Sequence, residues 1–170
     1  MEIEIRLAVP DDAEAMRAIY NHEVENHVTT LDMVPRSIAD QRAWITARSG
    51  AFSAIVATLP DGELVGFASL SPFRDRPAYS PTVENSVYVS RQHAGRRIGH
   101  HLLEHLIDDA CDSGFHSMVA RIESSGDASL ALHRSLGFHL IGVEREVGRK
   151  HGRWLDMTVM QLMLGPRRGS

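Results

Sequence analysis

The chain has 170 residues, the length of one domain, and 43% of them are hydrophobic, which is enough for a buried core. Its formal net charge of −4 argues against a general nucleic-acid-binding protein, which is usually basic. A lone cysteine, Cys111, excludes an intrachain disulfide, and the first residues lack the basic-then-apolar pattern of a secretory signal. We therefore expect a soluble, cytoplasmic protein with one domain over residues 1–164 and a flexible tail over 165–170.

The first half of the chain combines strand-like and helix-like patterns. Ile3, Ile5 and Leu7 alternate with polar residues, a period of two that is typical of a strand. Ser37 followed by Asp40 has the pattern of a capping box, which marks the start of a helix. The predicted elements are a strand over 2–8, helices from Pro10 to about Val24 and from Ser37 to about Arg48, and strands over 52–59 and 63–70 joined by a hairpin at Leu59-Pro60-Asp61-Gly62.

The second half alternates strands and helices more regularly, beginning with a strand over 82–90 and a helix from about Ile98 to Gly114. Alternation along the strand puts Val83, Asn85, Val87 and Val89 on one face and Glu84, Ser86 and Tyr88 on the other. The remaining predicted elements are a strand over 117–123, a helix over 127–136, and strands over 139–147 and 154–164. This order predicts an α/β (α+β) domain with a single mixed central β-sheet flanked by helices.

A polar loop with two glycines connects the 82–90 strand to the helix at Ile98. The start of a helix offers unpaired N–H groups and a partial positive charge, which together suit a phosphate group. Gly95 and Gly99 allow close approach of the backbone, and Arg96 and Arg97 add fixed positive charge. The spacing matches neither GxGxxG nor a P-loop, so an ordinary turn with a solvated basic pair stays open as an alternative.

Five segments, spread in order along nearly the whole chain, carry a resemblance to a known family. The segments are IYNHEV (19–24), TVENSVYV (82–89), AGRRIGHHLL (94–103), SLALHRSLGF (129–138) and KHGRWLDMTVMQL (150–162). Together they resemble the phosphinothricin and methionine sulfoximine acetyltransferases of the GNAT superfamily. The resemblance implies a GNAT fold, acetyl-CoA as the donor, the α-amino group of a small amino-acid analogue as the acceptor, and a homodimer.

The resemblance also implies which residues bind acetyl-CoA. The superfamily's loop pattern, Gln/Arg-x-x-Gly-x-Gly/Ala, falls on residues 94–99, where Gly99 fits and Ala94 and Arg97 depart from it. Arg97 restores the charge lost at Ala94, provided that the backbone is helical there. Gly126 is a further departure, since the family commonly has an asparagine at this position. The residues expected to bind the cofactor are Val87, Tyr88, Val89, Ala94, Gly95, Arg96, Arg97, Ile98, Gly99 and Ser129.

Acetyl transfer to an amine requires a base for the ammonium, a hydrogen-bond donor for the thioester carbonyl and an acid for the departing thiolate. Glu84 is the candidate base, because glutamate is disfavoured in a β-rich strand and the family's TVE-S-VYV pattern carries the same residue. His133, in the family-like segment LHRSLGF (132–138), is the candidate acid. The carbonyl donor is expected to be a main-chain N–H near Val87. A solvated strand glutamate and a packing histidine are the structural alternatives.

An amino-acid acceptor also brings a carboxylate, which calls for cations and hydrogen-bond donors. The residues that the resemblance assigns to the substrate are Arg74, Tyr79, Glu84, Lys150 and Arg153. Arg74 is the strongest of these, since it lies in an irregular loop over residues 73–77, although each cation is equally compatible with a plain surface charge. Trp154 and Asp156 are expected to hold the last strand and the dimer contact.

No metal site is expected, although His101 and His105 stand at i and i+4 on one helix. The HExxH motif is absent, and no third ligand follows from the spacing. We expect no nucleic-acid or membrane partner. Three other functions stay open: acetylation of another amine such as a polyamine or a protein N-terminus, a non-catalytic CoA-binding regulatory domain, and nucleotide binding unrelated to CoA.

Overall fold

The computed structural model describes residues 2–48 and 50–165. The strands are β1 (Glu4–Leu7), β2 (Ala54–Thr58), β3 (Leu64–Pro72), β4 (Thr82–Val89), β5 (Ser117–Glu123), β6 (His139–Lys150) and β7 (Arg153–Met163). The α-helices are α1 (Ala13–Asn26), α2 (Ile38–Thr46), α3 (Ile98–Asp112) and α4 (Asp127–Ser135). Short 3-10 turns cover Pro10–Asp12, Pro77–Tyr79 and Arg91–His93. The predicted order of elements is confirmed, and the tail over 166–170 lies outside the described residues.

Within the described residues, the strands form one sheet in the order β1-β2-β3-β4-β5-β7-β6. The β4–β5 pair is parallel and the other pairs are antiparallel, so the sheet is mixed, as predicted. β6 runs to Lys150, beyond its predicted end at residue 147, because a register shift between Glu144 and Gly148 absorbs extra residues and the strand then resumes its pairing with β7.

Each face of the sheet carries its own apolar core. On one face, Leu102, Leu103 and Leu106 of α3 pack on Val83 and Met118 of β4 and β5. On the other face, a second cluster joins α1, α2, β2 and β3 through Met16, Tyr20, Val24, Ile45, Val56 and Phe67. Each fully buried aliphatic side chain of this size stabilises the fold by roughly 1.5–3 kcal/mol. Among the described helices, none is long and apolar enough to cross a membrane.

The capping box at Ser37 and the hairpin after Leu59 form as the sequence predicts. Asp40 N donates to Ser37 Oγ (3.0 Å) and Ser37 N to Asp40 Oδ2 (3.3 Å), which completes the capping box at the start of α2. The hairpin between β2 and β3 closes through Leu59 N to Glu63 O and Gly62 N to Leu59 O, both 2.9 Å. Gly62 has φ +87° there, a conformation that glycine adopts without steric cost.

The parallel pair β4–β5 opens before either strand ends. Its register runs Thr82↔Ser117, Val83↔Met118 and Glu84↔Val119 and then stops, whereas β4 continues to Val89 and β5 to Glu123. Beyond the last pair, the facing edges of the two strands carry backbone groups that do not bond to each other. Such groups need partners from elsewhere, and an elongated ligand can supply them.

Candidate active site

A cavity of about 660 Å³ occupies the opening between β4 and β5. Residues 27–31, β4, β5, the turn before α4 and the first half of α4 all contribute to its wall. Glu84 and His133, the two candidate catalytic residues, both line it, and so do Val87, Tyr88 and Ser129 from the predicted cofactor set. A cavity of this size accommodates a small substrate together with part of an elongated one.

Glu84 is half-buried on β4, directly opposite Val119. Alternation places it on the same face as Ser86 and Tyr88, the face covered by α1 and α2. Burial raises the pKa of the Glu84 carboxyl, the charges of Arg121 and Arg74 lower it, and Glu144 raises it, so that the pKa lies above its usual value. A carboxylate with a raised pKa is a better proton acceptor near neutral pH than an ordinary glutamate.

His133 reaches the same cavity from α4, and its side chain is almost fully buried. Nδ1 lies 2.8 Å from the Ser129 carbonyl oxygen, and Nε2 lies 3.0 Å from Oδ1 of Asn85. Two oxygen acceptors favour a ring that carries a proton on each nitrogen, whereas burial lowers the pKa of His133 and favours the neutral ring. Because the pKa is lowered overall, a proton on His133 is acidic and easily given up.

Asn85, which sequence reasoning placed only on a strand face, is the partner that orients His133. It is buried on β4, and its Nδ2 donates to the Val119 carbonyl (3.4 Å). The sequence signal for this role was a polar amide among valines on the core face of a strand. A buried amide requires hydrogen-bond partners, so its position there indicates a polar contact. The identity of the partner, 48 positions away, follows only from the fold.

The loop before α3 differs from expectation at Arg97. Arg97 has φ 63° and ψ 12°, the left-handed conformation, and α3 begins only at Ile98. The backbone is therefore not helical at Arg97, and the condition under which this residue was to restore the lost charge is not met. Glycine is the residue that suits this conformation, which gives a physical reason for the glycine in the superfamily pattern.

The other residues of this loop differ in how far their side chains are exposed. Ala94, Gly95 and Arg96 are exposed, and Gly95 also has a positive φ of 77°. The Ile98 side chain is buried in the core, so this residue can offer a ligand only its main chain. A Cβ on Gly99 would stand 3.3 Å from Leu132 Cδ2, which indicates close packing between α3 and α4 at this glycine.

The strand residues of the predicted cofactor set divide between the two faces of the sheet. Val87 and Val89 pack against the α3 core, as expected of plain core side chains. Tyr88 points the other way, where its ring stacks on Phe67 and meets Tyr20 edge-on, both at 5.2 Å between centroids. Gly126 is the other departure from the family. A Cβ at this position would stand 3.1 Å from the Glu123 carbonyl oxygen, which is a tight contact.

The predicted substrate residues lie in two places. The Arg74 guanidinium lies over the rings of Phe73 and Tyr79, at 4.9 and 5.6 Å, and its charge reaches Glu84. Lys150 is buried and donates to the Thr30 carbonyl (2.8 Å); burial lowers its pKa. Arg153 lines a separate pocket with His27 and His151. All four of these residues, Arg74, Tyr79, Lys150 and Arg153, lie outside the cavity wall of the described chain, but the charge of Arg74 acts on Glu84.

Sequence reasoning gave no role to two arginines on the cavity wall, Arg121 and Arg91. Arg121 of β5 donates from Nε and Nη2 to one oxygen of Glu144, at 2.9 and 2.7 Å. Arg91 forms a double hydrogen bond with Glu23 of α1, at 2.8 and 2.9 Å. His22, Glu23 and His27 bring possible metal-ligand atoms within 4.8 Å of one another, but both Glu23 oxygens are already bound by Arg91. In the sequence, an arginine at a polar position of a strand or a loop carries no signal that separates it from a surface charge.

This fold is shared with known acetyltransferases. The model of the GNAT acetyltransferase domain family matches residues 5–159, and the chain belongs to this family. It is 42% identical to an L-methionine sulfoximine/L-methionine sulfone acetyltransferase of Pseudomonas paraeruginosa, with 100% of this chain and 99% of the relative covered. It is 36% identical to a phosphinothricin N-acetyltransferase of Streptomyces coelicolor, with 92% and 94% covered.

A solved structure adds the same fold with a bound donor. A GNAT superfamily phosphinothricin acetyltransferase from Sinorhizobium meliloti, in complex with acetyl-CoA, superposes with a TM-score of 0.92 at 38% identity and covers 99% of this chain and 95% of that one. The predicted fold, the family and the N-acetyltransferase activity are therefore confirmed. The roles of individual residues stay predictions, supported by their placement.

Proposed function

We propose that this enzyme transfers an acetyl group directly from acetyl-CoA to the α-amino group of a small amino-acid analogue of the phosphinothricin, methionine sulfoximine or methionine sulfone type. One observation carries the proposal: Glu84 and His133 line one cavity at the point where β4 and β5 separate. The names of the relatives, and the acetyl-CoA bound to the Sinorhizobium meliloti enzyme, support the donor and the acceptor class.

In the proposed reaction, Glu84 takes a proton from the acceptor ammonium, directly or through a water molecule. The free amine nitrogen attacks the thioester carbonyl carbon, and the C–N bond forms as the carbonyl oxygen becomes an oxyanion. A main-chain N–H of β4 near Val87 donates to that oxyanion. The C–S bond then breaks and the CoA thiolate receives a proton from His133. The second proton of the nitrogen passes through water to His133 and restores it, and the proton held by Glu84 leaves to solvent. The products are the N-acetyl amino acid, CoA and one proton.

The donor is proposed to lie along the edge of β4 with its pyrophosphate at the start of α3. Main-chain N–H groups of residues 95–99, that of Arg97 included, would bind the phosphates, assisted by the charge of Arg96. The pantetheine arm would bond to the β4 backbone at Val87 and Val89, in the manner of an added strand. Ser129 lines the cavity and would contact this arm, while its carbonyl oxygen accepts from His133.

The acceptor is proposed to place its ammonium at Glu84 and its carboxylate at Arg74, with Tyr79 as a further donor. The Arg74 guanidinium lies over the aromatic rings of Phe73 and Tyr79. Because these contacts already restrict it, it loses less conformational freedom when it binds the substrate. Lys150 instead supports residues 27–31 of the cavity wall through Thr30, so its role toward the substrate is indirect.

The test is a thiol-release assay with acetyl-CoA against phosphinothricin, methionine sulfone, methionine sulfoximine, the common amino acids and spermidine. Release with the tetrahedral phosphorus and sulfur analogues is expected. Turnover of spermidine alone would favour the alternative of another amine. Silence across the panel, with acetyl-CoA still bound in calorimetry, would overturn the proposed acceptor class and favour a CoA-binding regulatory domain.

We further propose that the enzyme is a homodimer joined through β6 and β7. These strands expose apolar side chains that a monomer has no reason to leave in water, namely Leu140, Ile141, Val143, Val147, Trp154 and Met163. Asp156 stabilises the bulge of β6, since it pairs with Arg145 (3.3 Å) and accepts from Glu146 N (2.8 Å). Sedimentation is expected to give a dimer for the wild type and a monomer for Ile141→Asp; an unchanged dimer would contradict this interface.

We also propose the domain extent, the location and one physiological effect of this enzyme. Residues 1–164 form one domain, which the family match over residues 5–159 supports. The enzyme works in the cytoplasm, for which the single cysteine is the supporting feature. If phosphinothricin is an acceptor, its acetylation would confer resistance to this herbicide.

A further inference from the structure

Arg121 faces the same part of the cavity as Glu84, from the neighbouring strand. Glu84 pairs with Val119 across β4 and β5, and paired residues share a face of the sheet. Arg121 stands two positions beyond Val119, so alternation returns its side chain to that face. Both Glu84 and Arg121 line the cavity, and Arg121 is the cation with the largest effect on Glu84.

Glu84 therefore has a cation on each side of it. Arg121 belongs to β5, and Arg74 follows β3, the strand that pairs with the other edge of β4. An α-amino acid whose ammonium lies at Glu84 sends its carboxylate and its side chain away from Cα in different directions. If one cation takes the carboxylate, the other is left for the side chain.

We propose that Arg121 binds a second anionic group at the end of the acceptor's side chain, a phosphinate or a carboxylate, and thereby determines specificity. This inference rests on the proposed function and narrows its acceptor class. Arg74, held by its two aromatic rings, binds the α-carboxylate. Glu144 is a positioning residue, because it fixes the Arg121 guanidinium through two hydrogen bonds.

The chemistry of guanidinium favours such a ligand. The pair with Glu144 occupies only two of the five N–H groups that a guanidinium carries, and a planar fork matches the two oxygens of a phosphinate or carboxylate. A sulfone or sulfoximine also offers oxygen or nitrogen acceptors, but it is neutral, and a hydrogen bond without charge on the acceptor is weaker. The enzyme should therefore prefer phosphinothricin to methionine sulfone.

The experiment compares kcat/KM for phosphinothricin and methionine sulfone in the wild type and in Arg121→Gln. In the wild type, kcat/KM for phosphinothricin divided by kcat/KM for methionine sulfone should be above one. This ratio should fall about tenfold or more in the variant, because one charge-assisted contact is lost. The ratio cancels any change in the basicity of Glu84, since both acceptors use that base. Arg121→Lys, which keeps the charge, should retain a ratio clearly above that of Arg121→Gln. Arg42→Gln, an exposed arginine on α2, is the matched control and should leave the ratio unchanged.

Two outcomes would overturn the inference while leaving the proposed function intact. One is a wild-type enzyme that turns over both acceptors but prefers methionine sulfone. The other is an Arg121→Gln variant that loses both activities equally, which would mean that Arg121 acts only on Glu84 or on the fold. Failure of the wild type to turn over any amino-acid analogue would instead overturn the proposed function itself.

Discussion

The two sides of the opening between β4 and β5 hold ionisable groups in opposite surroundings. Glu84 is half-buried and surrounded by charges, namely those of Arg121, Glu144 and Arg74. His133 is 3% exposed and is bounded by Phe138, the Asn85 amide and a carbonyl oxygen. Burial raises the pKa of the carboxyl and lowers the pKa of the imidazole, because in each case it disfavours the charged form. Burial thus brings the pKa of the base and the pKa of the acid closer together.

The largest expected effect is on the Glu84 side. Glu84→Gln keeps the size of the side chain but removes the base, so kcat/KM should fall roughly 10²–10⁴-fold. Acetyl-CoA affinity, measured by calorimetry, should stay the same, because the proposed donor site involves other residues. A loss of less than about tenfold would show that Glu84 is not the base.

The His133 side should respond less strongly. A thiolate is a good leaving group, so His133→Gln should lower kcat by only about 10–100-fold, below the range for a residue essential to proton transfer. The same change removes the imidazole that bonds to the Ser129 carbonyl and to Asn85. It should therefore lower the free energy of unfolding by about 1–3 kcal/mol. Denaturation and thiol release on one preparation separate the two effects. Unchanged kcat with reduced stability would assign His133 to packing alone.

The charged surroundings of Glu84 predict shifts of the pH profile. The base must be deprotonated, so the acidic limb of kcat/KM should lie above pH 4.5, the ordinary pKa of glutamate. Arg121→Gln removes a charge that lowers this pKa and should move the limb to higher pH. Glu144→Gln removes a charge that raises the pKa and should move the limb to lower pH. A limb that moves the same way in both variants would contradict the electrostatic account.

What the sequence predicted depended on how local each feature is. Strand alternation placed Glu84 and Asn85 on opposite faces of β4, and the capping box at Ser37 marked α2, because each pattern lies within one element. The Asn85–His133 and Arg121–Glu144 contacts join residues 48 and 23 positions apart, and depend on sheet order. Lys150 shows the same dependence on the fold. The resemblance assigned it to the substrate, and only the structure shows that its ammonium is buried and donates to the Thr30 carbonyl.

Backbone conformation in the loop before α3 was also beyond sequence reasoning. The pattern showed that Arg97 replaces a glycine, but only the structure shows the positive φ that makes this replacement costly. A non-glycine residue in the left-handed region costs roughly 1–2 kcal/mol, and an arginine has no short side chain to compensate through a local hydrogen bond.

The smallest expected effect is therefore a gain in stability. Arg97→Gly relieves the left-handed conformation but makes the unfolded chain more flexible, so the net stabilisation should be about 0.5–1 kcal/mol. Arg96→Gly is the matched control, since Arg96 is not among the residues with positive φ, and there glycine should only destabilise. Thermal unfolding without ligand measures both variants. Equal destabilisation would mean that the loop adopts another conformation at Arg97, and that the start of α3, with the N–H groups proposed to bind the phosphates, is arranged differently in solution.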